Sequence, residues 1–518
     1  MARWVKESVL SLYTLMMLLI MALLLFFFPV TAFANKRTFL LPQWVMLLLG
    51  TGVLGAAIWL AMRSHGGRAR LHAPVRAAFW LGLLLVQLAY CYFSYFLTGW
   101  DAGMMLEYAH WIGVFGIGEV NNFYYSMYPN NVLITMIFAG IMRGFKLMVG
   151  GEPGLDRCAF AVIAVQCVLN TLTGVLCQSI ARRWTKSEAF SWVVAGTYVL
   201  FVGLSPWLMI PYTDSFSLII PVLILWLYQR WGDMKPLAWP IIGLLSGIGY
   251  LIKPQTVIVT IALVIIEGAK LVARRSLKSL ALRLGSMLLS AALVIGPFFD
   301  AVVKASGFEL DAQLNIGPLH YVMMGLNRET NGGFSAEDGN IALVSLDKAG
   351  RTEIQLQEIR RRLEAFGPQG LLEHLKKKTL TNYADGTFAW GIEGQFFNQL
   401  IEDKHPVISP LLKRWIYPDE DGRFPGFATF MQCIWLALLL GGLLSLATYG
   451  AMNQDDAQVG LLLVMMLSVI GLTMFELIFE ARARYLFAYA PVYLLLGIGG
   501  LWYGVGRIRA GGGRPPEK

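Results

Sequence analysis

Residues 15–30 read LMMLLIMALLLFFFPV, and residues 77–100 read AAFWLGLLLVQLAYCYFSYFLTGW, with no charged side chain in either stretch. About 18 or more mostly apolar residues in a row are enough to cross the hydrocarbon of a bilayer as a helix. Similar runs recur near 9–33, 44–62, 77–98, 158–180, 188–207, 215–230, 236–251, 254–270, 284–303, 428–449, 458–477 and 484–506. The whole chain of 518 residues is 56% hydrophobic and only 14% charged, and its mean hydropathy is well above zero. A soluble fold cannot solvate that much apolar surface, whereas lipid can. The expectation is an all-α polytopic membrane protein with about twelve transmembrane helices.

The net charge of +9 is read through the position of the cations, because Lys and Arg concentrate in cytoplasmic loops. Arg63, Arg68, Arg70 and Arg76 lie between the second and third runs, and Arg182, Arg183 and Lys186 between the fourth and fifth. Lys270, Arg274, Arg275, Lys278 and Arg283 surround the turn before the ninth run, and Arg507, Arg509, Arg514 and Lys518 close the chain. One alternating topology puts all four clusters inside, with both termini cytoplasmic and only Lys36 and Arg37 against the rule. It requires that 131–149, NVLITMIFAGIMRGFKLMV, not cross. Arg143 and Lys146 interrupt this run, and the charge pattern predicts a helix lying in the outer interface. Nucleic acid is not an expected partner, since the cations mark topology.

At the N-terminus, Ala32-Phe33-Ala34 resembles a signal-peptidase site, but the run from Val9 to Val30 exceeds the roughly 7–15 residues of a signal h-region, so a retained helix is expected. Cys91, Cys158, Cys167, Cys177 and Cys433 sit in or beside apolar runs without CxxC or Cys/His spacing, and read as small core residues. The chain divides into a two-helix extension (1–76), a membrane core (77–303) with an outer loop at 99–157, a small extracytoplasmic α-rich domain (304–427), and C-terminal helices with a cytoplasmic tail (428–518). In the loop domain, helix-like pieces at 353–366 and 369–378 are separated by Gly-rich turns such as Asn331-Gly332-Gly333.

Candidate chemistry gathers at the outer ends of the runs. Asp101 follows an inward-to-outward run in Gly99-Trp100-Asp101-Ala102-Gly103. Partial dehydration there makes a carboxylate a better base, though Asp before AGMMLEYA also suits a helix N-cap. Asp214, in Pro211-Tyr212-Thr213-Asp214-Ser215, lies on the same face and admits the same two readings, base-partner or metal ligand against cap. Lys253, before Pro254, suits a phosphate or lipid headgroup, or simply snorkels. Glu480-Ala481-Arg482-Ala483-Arg484 places two arginines beside an acid on the side where cations are disfavoured, a phosphate grip or a structural ion pair. The large loop adds His320, His374, Lys376, Lys377, Lys378, Asp385 and Glu393, most of them consistent with a solvated helix and a turn at Asp385-Gly386. No HExxH, GxSxG, GxxxxGK[ST] or GxGxxG stands in a suitable context, which argues against metalloprotease, serine hydrolase and ATP-driven pump.

An acid in the first outer loop, an interfacial helix, a second acid two runs later and a closing EARARYLFAYAP resemble the GT-C superfamily of polyprenyl-phosphate-sugar-dependent glycosyltransferases, including protein O-mannosyltransferases and the aminoarabinose transferase of lipid A. YYSMYPNN, LHYVMMGLN, NGGF and ADGTF further resemble an uncharacterised set of Gram-positive membrane proteins placed near them. The chain departs from the pattern in that Ala102 follows Asp101 where many relatives carry an acidic pair, and in its two extra N-terminal runs. The resemblance implies a GT-C-like bundle with outer-face juxtamembrane helices. It implies a sugar donor on a polyprenyl phosphate and a glycan, glycolipid or protein acceptor, in a bacterial plasma membrane. Asp101 would be the base, Asp214 would position the acceptor or bind a metal, and Arg482, Arg484 and Lys253 would hold the donor phosphate. Glu480, Tyr128, His320 and Lys376 would support them. No organic cofactor is called for, and a divalent metal is the open option. Rival readings are a flippase of lipid-linked sugars, a glycan polymerase or ligase, and a scaffold. A transporter would more often show paired inverted halves, which this sequence lacks.

Overall fold

The computed structural model describes residues 3–27, 38–64, 73–116, 122–231, 237–273, 275–345, 347–451 and 456–509. Ala32-Phe33-Ala34, Lys36, Arg37, Arg68, Arg70, Arg274, Arg514 and Lys518 lie outside the described residues. The architecture is an all-α bundle. Among the described residues, ten helices are long and apolar enough to cross a membrane. Three shorter apolar helices, Glu188–Gly203, Ala238–Ile252 and Ile219–Trp231, run among them.

Polar side chains set the register of the bundle, because in a lipid-facing fold helices gain little from hydrophobic burial and buried hydrogen bonds supply direction. Ala73–Ser94 runs antiparallel to Leu155–Thr185. From one end to the other, Trp80 donates to Gln178 at 2.8 Å, Gln87 donates to Asn170 at 2.9 Å, the sulfurs of Cys91 and Cys167 lie 3.9 Å apart, and the rings of Tyr95 and Phe160 are 5.5 Å apart. All five cysteines are unbridged. In the C-terminal part, Pro425–Leu443 and Ala483–Arg509 cross backbone to backbone at Gly441, Gly497 and Gly500, where any Cβ would collide with the opposite carbonyl.

The antiparallel register decides the disputed helix. Asn130–Val149 is long and apolar enough to cross. Its first turn is tied through Asn131 to Tyr124, 2.7 Å away, which itself bonds Asp101. Near its far end, Lys146 donates to the carbonyl of Val114, and the Pro153 carbonyl accepts from His110 Nε2 at 2.8 Å. The following helix then starts beside Tyr95. Asn130–Val149 therefore begins and finishes at the end of the bundle where Ala73–Ser94 stops, alongside Trp100–His110. Setting it aside and counting the three shorter helices returns about twelve crossings. Arg63, Arg76, Arg182, Arg183, Lys270, Arg507 and Arg509 fall at the other end, where Arg76 pairs with Glu188 at 2.8 Å and Arg509 donates to the Met62 carbonyl at 3.1 Å.

The two helical pieces expected at 353–366 and 369–378 are halves of Lys348–Tyr383, broken at Gly367, whose φ of +56° precedes Pro368. Asp347 caps its start by accepting from Gly350 N–H at 2.9 Å. Beyond Tyr383 the loop does not stand apart from the membrane helices, as a separate domain would. Tyr383 bonds Thr473 and Tyr493 at 2.6 and 2.7 Å, and the Thr387 carbonyl accepts from Trp207 at 3.0 Å. Asp385 closes the turn by accepting from the Thr387 and Ala389 amides, which lets a polar backbone enter an apolar interior. The chain leaves again through a short antiparallel pairing of Gln399–Leu400 with Phe96–Leu97. It then forms Ile408–Ile416, a helix beside the end of Ala73–Ser94, held by a bond from the Tyr417 hydroxyl to the Ser94 carbonyl at 3.0 Å.

Candidate active site

Five separate stretches of chain meet at the end of the bundle away from the basic clusters. The first is the turn after Ala73–Ser94. The Gly99 amide donates to the Gln395 carbonyl at 2.8 Å, and the helix Trp100–His110 starts with Gly99 as its N-cap. Asp101 therefore sits within the first turn, not at the cap, and its carboxylate takes a hydrogen bond from Tyr124 instead. Burial pushes the Asp101 carboxyl above its ordinary value, and the positive charge of Arg484 offsets part of that rise.

Asp214 lies inside the single turn Thr213–Phe216, with Tyr212 as N-cap, so the capping reading fails for it as well. Its carboxylate is fully buried, with one oxygen 2.5 Å from Lys253 Nζ and the other 4.0 Å from Arg484 Nε. Opposite charges at this short range make the pairing. Lys253, between Ala238–Ile252 and Pro254, is 5% exposed and does not snorkel; its ammonium also lies 4.2 Å from the centre of the Tyr485 ring.

The connection between Ala457–Ile478 and Ala483–Arg509 brings the arginines. Arg482 is 3.5 Å from Glu480 and 3.6 Å from Glu393, and Arg484 Nε is 3.5 Å from Glu393. Glu480 accepts a 2.7 Å bond from the Tyr485 hydroxyl. The Arg484 guanidinium lies 4.7 Å from the Trp100 ring centre and 5.2 Å from those of Tyr212 and Tyr485. Such an aromatic surround stabilises a cation while leaving its N–H groups available. Two of them, Nε and Nη1, are buried without a hydrogen-bond partner. Tyr128 and Tyr321 come within electrostatic reach of both Asp101 and Glu480.

Asp101, Asp214, Lys253, Glu480, Arg482, Arg484 and Tyr128 are thus brought together. His320 and Lys376 are not. His320 is buried against Asp338 in the loop domain, where burial pulls its imidazole down to about 4. Lys376 pairs with Glu373 at 3.2 Å and rests 4.4 Å from the Phe27 ring centre, at the end of the first helix. Both were placed by type alone; the helix Gly317–Gly325 holds His320 in the loop, and Lys348–Tyr383 carries Lys376 to the end of the first helix. Glu393 is the member that sequence reasoning left among the loop polars. Trp100, Tyr212 and Tyr321 were missed, since aromatic residues beside apolar runs carry no separate signal. Among the described residues, no three His, Cys, Asp or Glu side chains gather where a metal ion could be held. Asp214, the residue offered for that role, faces two cations.

A family model described as "conserved hypothetical integral membrane protein" matches residues 69–499. The chain belongs to this family. No curated protein and no solved structure matches the chain. The family description states a location and no activity, and its match spans every residue of the cluster, from Asp101 to Arg484. As an integral membrane protein of this family, the chain carries a charged cluster built from loop and helix-end residues at a single end of its bundle.

Proposed function

We propose that this membrane protein is a glycosyltransferase, moving a sugar from a polyprenyl-phosphate donor to a hydroxyl of a cell-wall polymer, glycolipid or protein. The observation that supports this best is one juxtaposition. A carboxylate shifted toward basic strength, Asp101, adjoins Trp100, and the Trp100 ring packs against a buried arginine with unpartnered N–H groups. A base and an anion-binding cation at one bilayer edge are what a lipid-phosphate leaving group requires.

On this reading the basic end of the bundle faces the cytoplasm and the site faces outward in a bacterial plasma membrane. The acceptor hydroxyl gives its proton to Asp101 as its oxygen attacks the anomeric carbon. The bond from that carbon to the donor phosphate oxygen breaks, and the lipid phosphate departs with the electron pair. Arg484 and Arg482 stabilise the charge that develops on it, while Lys253 and Asp214 hold each other and Tyr485 in place. A single displacement inverts the anomeric configuration.

The test uses purified protein in lipid nanodiscs, radiolabelled polyprenyl-phosphate sugars and a crude wall and lipid acceptor fraction. Asp101→Asn is expected to lower transfer by about 10²–10⁴-fold while the protein stays folded. Arg484→Gln is expected to lower it by about 10²–10³-fold. Undiminished transfer by Asp101→Asn would remove the base and, with it, the mechanism.

A further inference from the structure

Trp390 and Phe396 are buried aromatic anchors, and the residues between them form a short strap beside the site. Gly391 and Gln395 take left-handed backbone, with φ of +77° and +54°, and a side chain at Gly394 would meet open space. Turns of this kind let 392–394 shift between Gly391 and Gln395, whose carbonyl stays bonded to the Gly99 amide. Glu393 stands in the middle of the strap and reaches both arginines, at 3.6 Å from Arg482 and 3.5 Å from Arg484.

The other anions of the site are already committed. Asp214 sits 2.5 Å from Lys253 and farther, 4.0 Å, from Arg484, and Glu480, 3.5 Å from Arg482, is held by the Tyr485 hydroxyl at 2.7 Å. Arg484 is 7% exposed, and a buried guanidinium is strongly disfavoured without a counter-ion. Glu393 supplies that counter-ion, but loosely. Its Oε1 and the Arg484 Nε have no directed hydrogen bond, although they are close enough for one to form with a small rotation. Arg484 is held among the Trp100, Tyr212 and Tyr485 rings, while the Glu393 carboxylate rides on the strap.

We propose that Glu393 is a resident counter-ion: it occupies the position of the ligand's anionic group on Arg482 and Arg484, and a phosphate displaces it as the strap moves aside. The proposal rests on the donor-phosphate reading given above and adds to it an internal competitor. In the empty site Glu393 keeps the arginines neutralised and in place. In the loaded site it gives up the two arginines to the phosphate.

Binding of geranyl monophosphate to the full-length protein in nanodiscs, measured by calorimetry, separates the outcomes. Glu393→Gln keeps the shape and removes the competing charge, so it is expected to bind about tenfold more tightly than wild type. Glu393→Asp, which keeps the charge, is expected to bind like wild type or between the two, and Arg484→Gln to lose binding. Equal or weaker binding by Glu393→Gln, with wild-type binding intact and lost in Arg484→Gln, would overturn the counter-ion role and leave the donor-phosphate reading standing. Absence of binding by wild type and by every variant would overturn both. A merely structural Glu393 would lower the melting temperature of Glu393→Gln without tightening binding, which also counts against the proposal.

Discussion

Lys378 shows how a single residue ties the loop to the site. Its ammonium donates to the Gly325 carbonyl at 2.9 Å and to the Phe479 carbonyl at 2.6 Å, one residue before Glu480. Burial is the main cause that pulls its pKa from 10.5 down to about 7, with Glu476 and Glu480 opposing the fall. The sign of the effect on stability follows. Below pH 7 the lysine is protonated in both states and folding carries the full cost of burying the cation. Between about 7 and 10.5 the folded protein releases the proton while the unfolded chain keeps it, so stability rises with pH across that window. Thermal unfolding in detergent is expected to show a shallower rise in Lys378→Met than in wild type, on a lower baseline from two lost hydrogen bonds. Equal slopes in the two proteins would contradict the assignment. Sequence reading named Lys378 but filed it with a solvated helix, because HLKKKTL has the charge density of an exposed surface. Only the packing of that helix against the 478–481 turn separates Lys378, which is buried, from Lys376, which is not.

At the scale of elements, the long apolar runs were legible from hydropathy, and so was the lateral placement of Asn130–Val149, because Arg143 and Lys146 do not suit a bilayer centre. The segment that follows Tyr383 was not. Its ADGT run looks like a surface turn, yet the Asp385 carboxylate satisfies the backbone of that turn internally and lets it lie among the helices. Left-handed backbone at Phe388 and Ala389 is a feature no composition rule anticipates. The helix Ile408–Ile416 carries a second consequence. Val407, Leu411 and Trp415 are exposed on one side, Ser409 and Ile416 are buried on the other, and Arg414 is at the edge. An apolar stripe with a neighbouring cation, beside the end of a crossing helix, belongs in the headgroup layer. A bimane label at Leu411→Cys in nanodiscs is expected to be quenched by lipids bearing a spin label near the headgroup and to resist aqueous iodide. The reverse pattern would take this helix out of the interface.

For the whole molecule, the number of crossings matters more than any one boundary. Residues 101, 214, 253, 393 and 480–484 meet only if Asn130–Val149 adds no crossing, and their contacts meet that condition. The sequence order of acids and arginines anticipated that Asp101, Asp214, Lys253, Glu480, Arg482 and Arg484 lie together, but it wrongly added His320 and Lys376 and was too coarse to reveal that Glu393 joins them. The proposed chemistry is that the cluster transfers a sugar and does not pass a lipid through the bilayer. Proteoliposomes loaded with labelled polyprenyl-phosphate sugar, with an acceptor fraction on the side of the site, test this directly. The account predicts label in the acceptor, with inverted anomeric configuration, from wild type and not from Asp101→Asn. Labelled lipid crossing the bilayer with no label in any acceptor would contradict it.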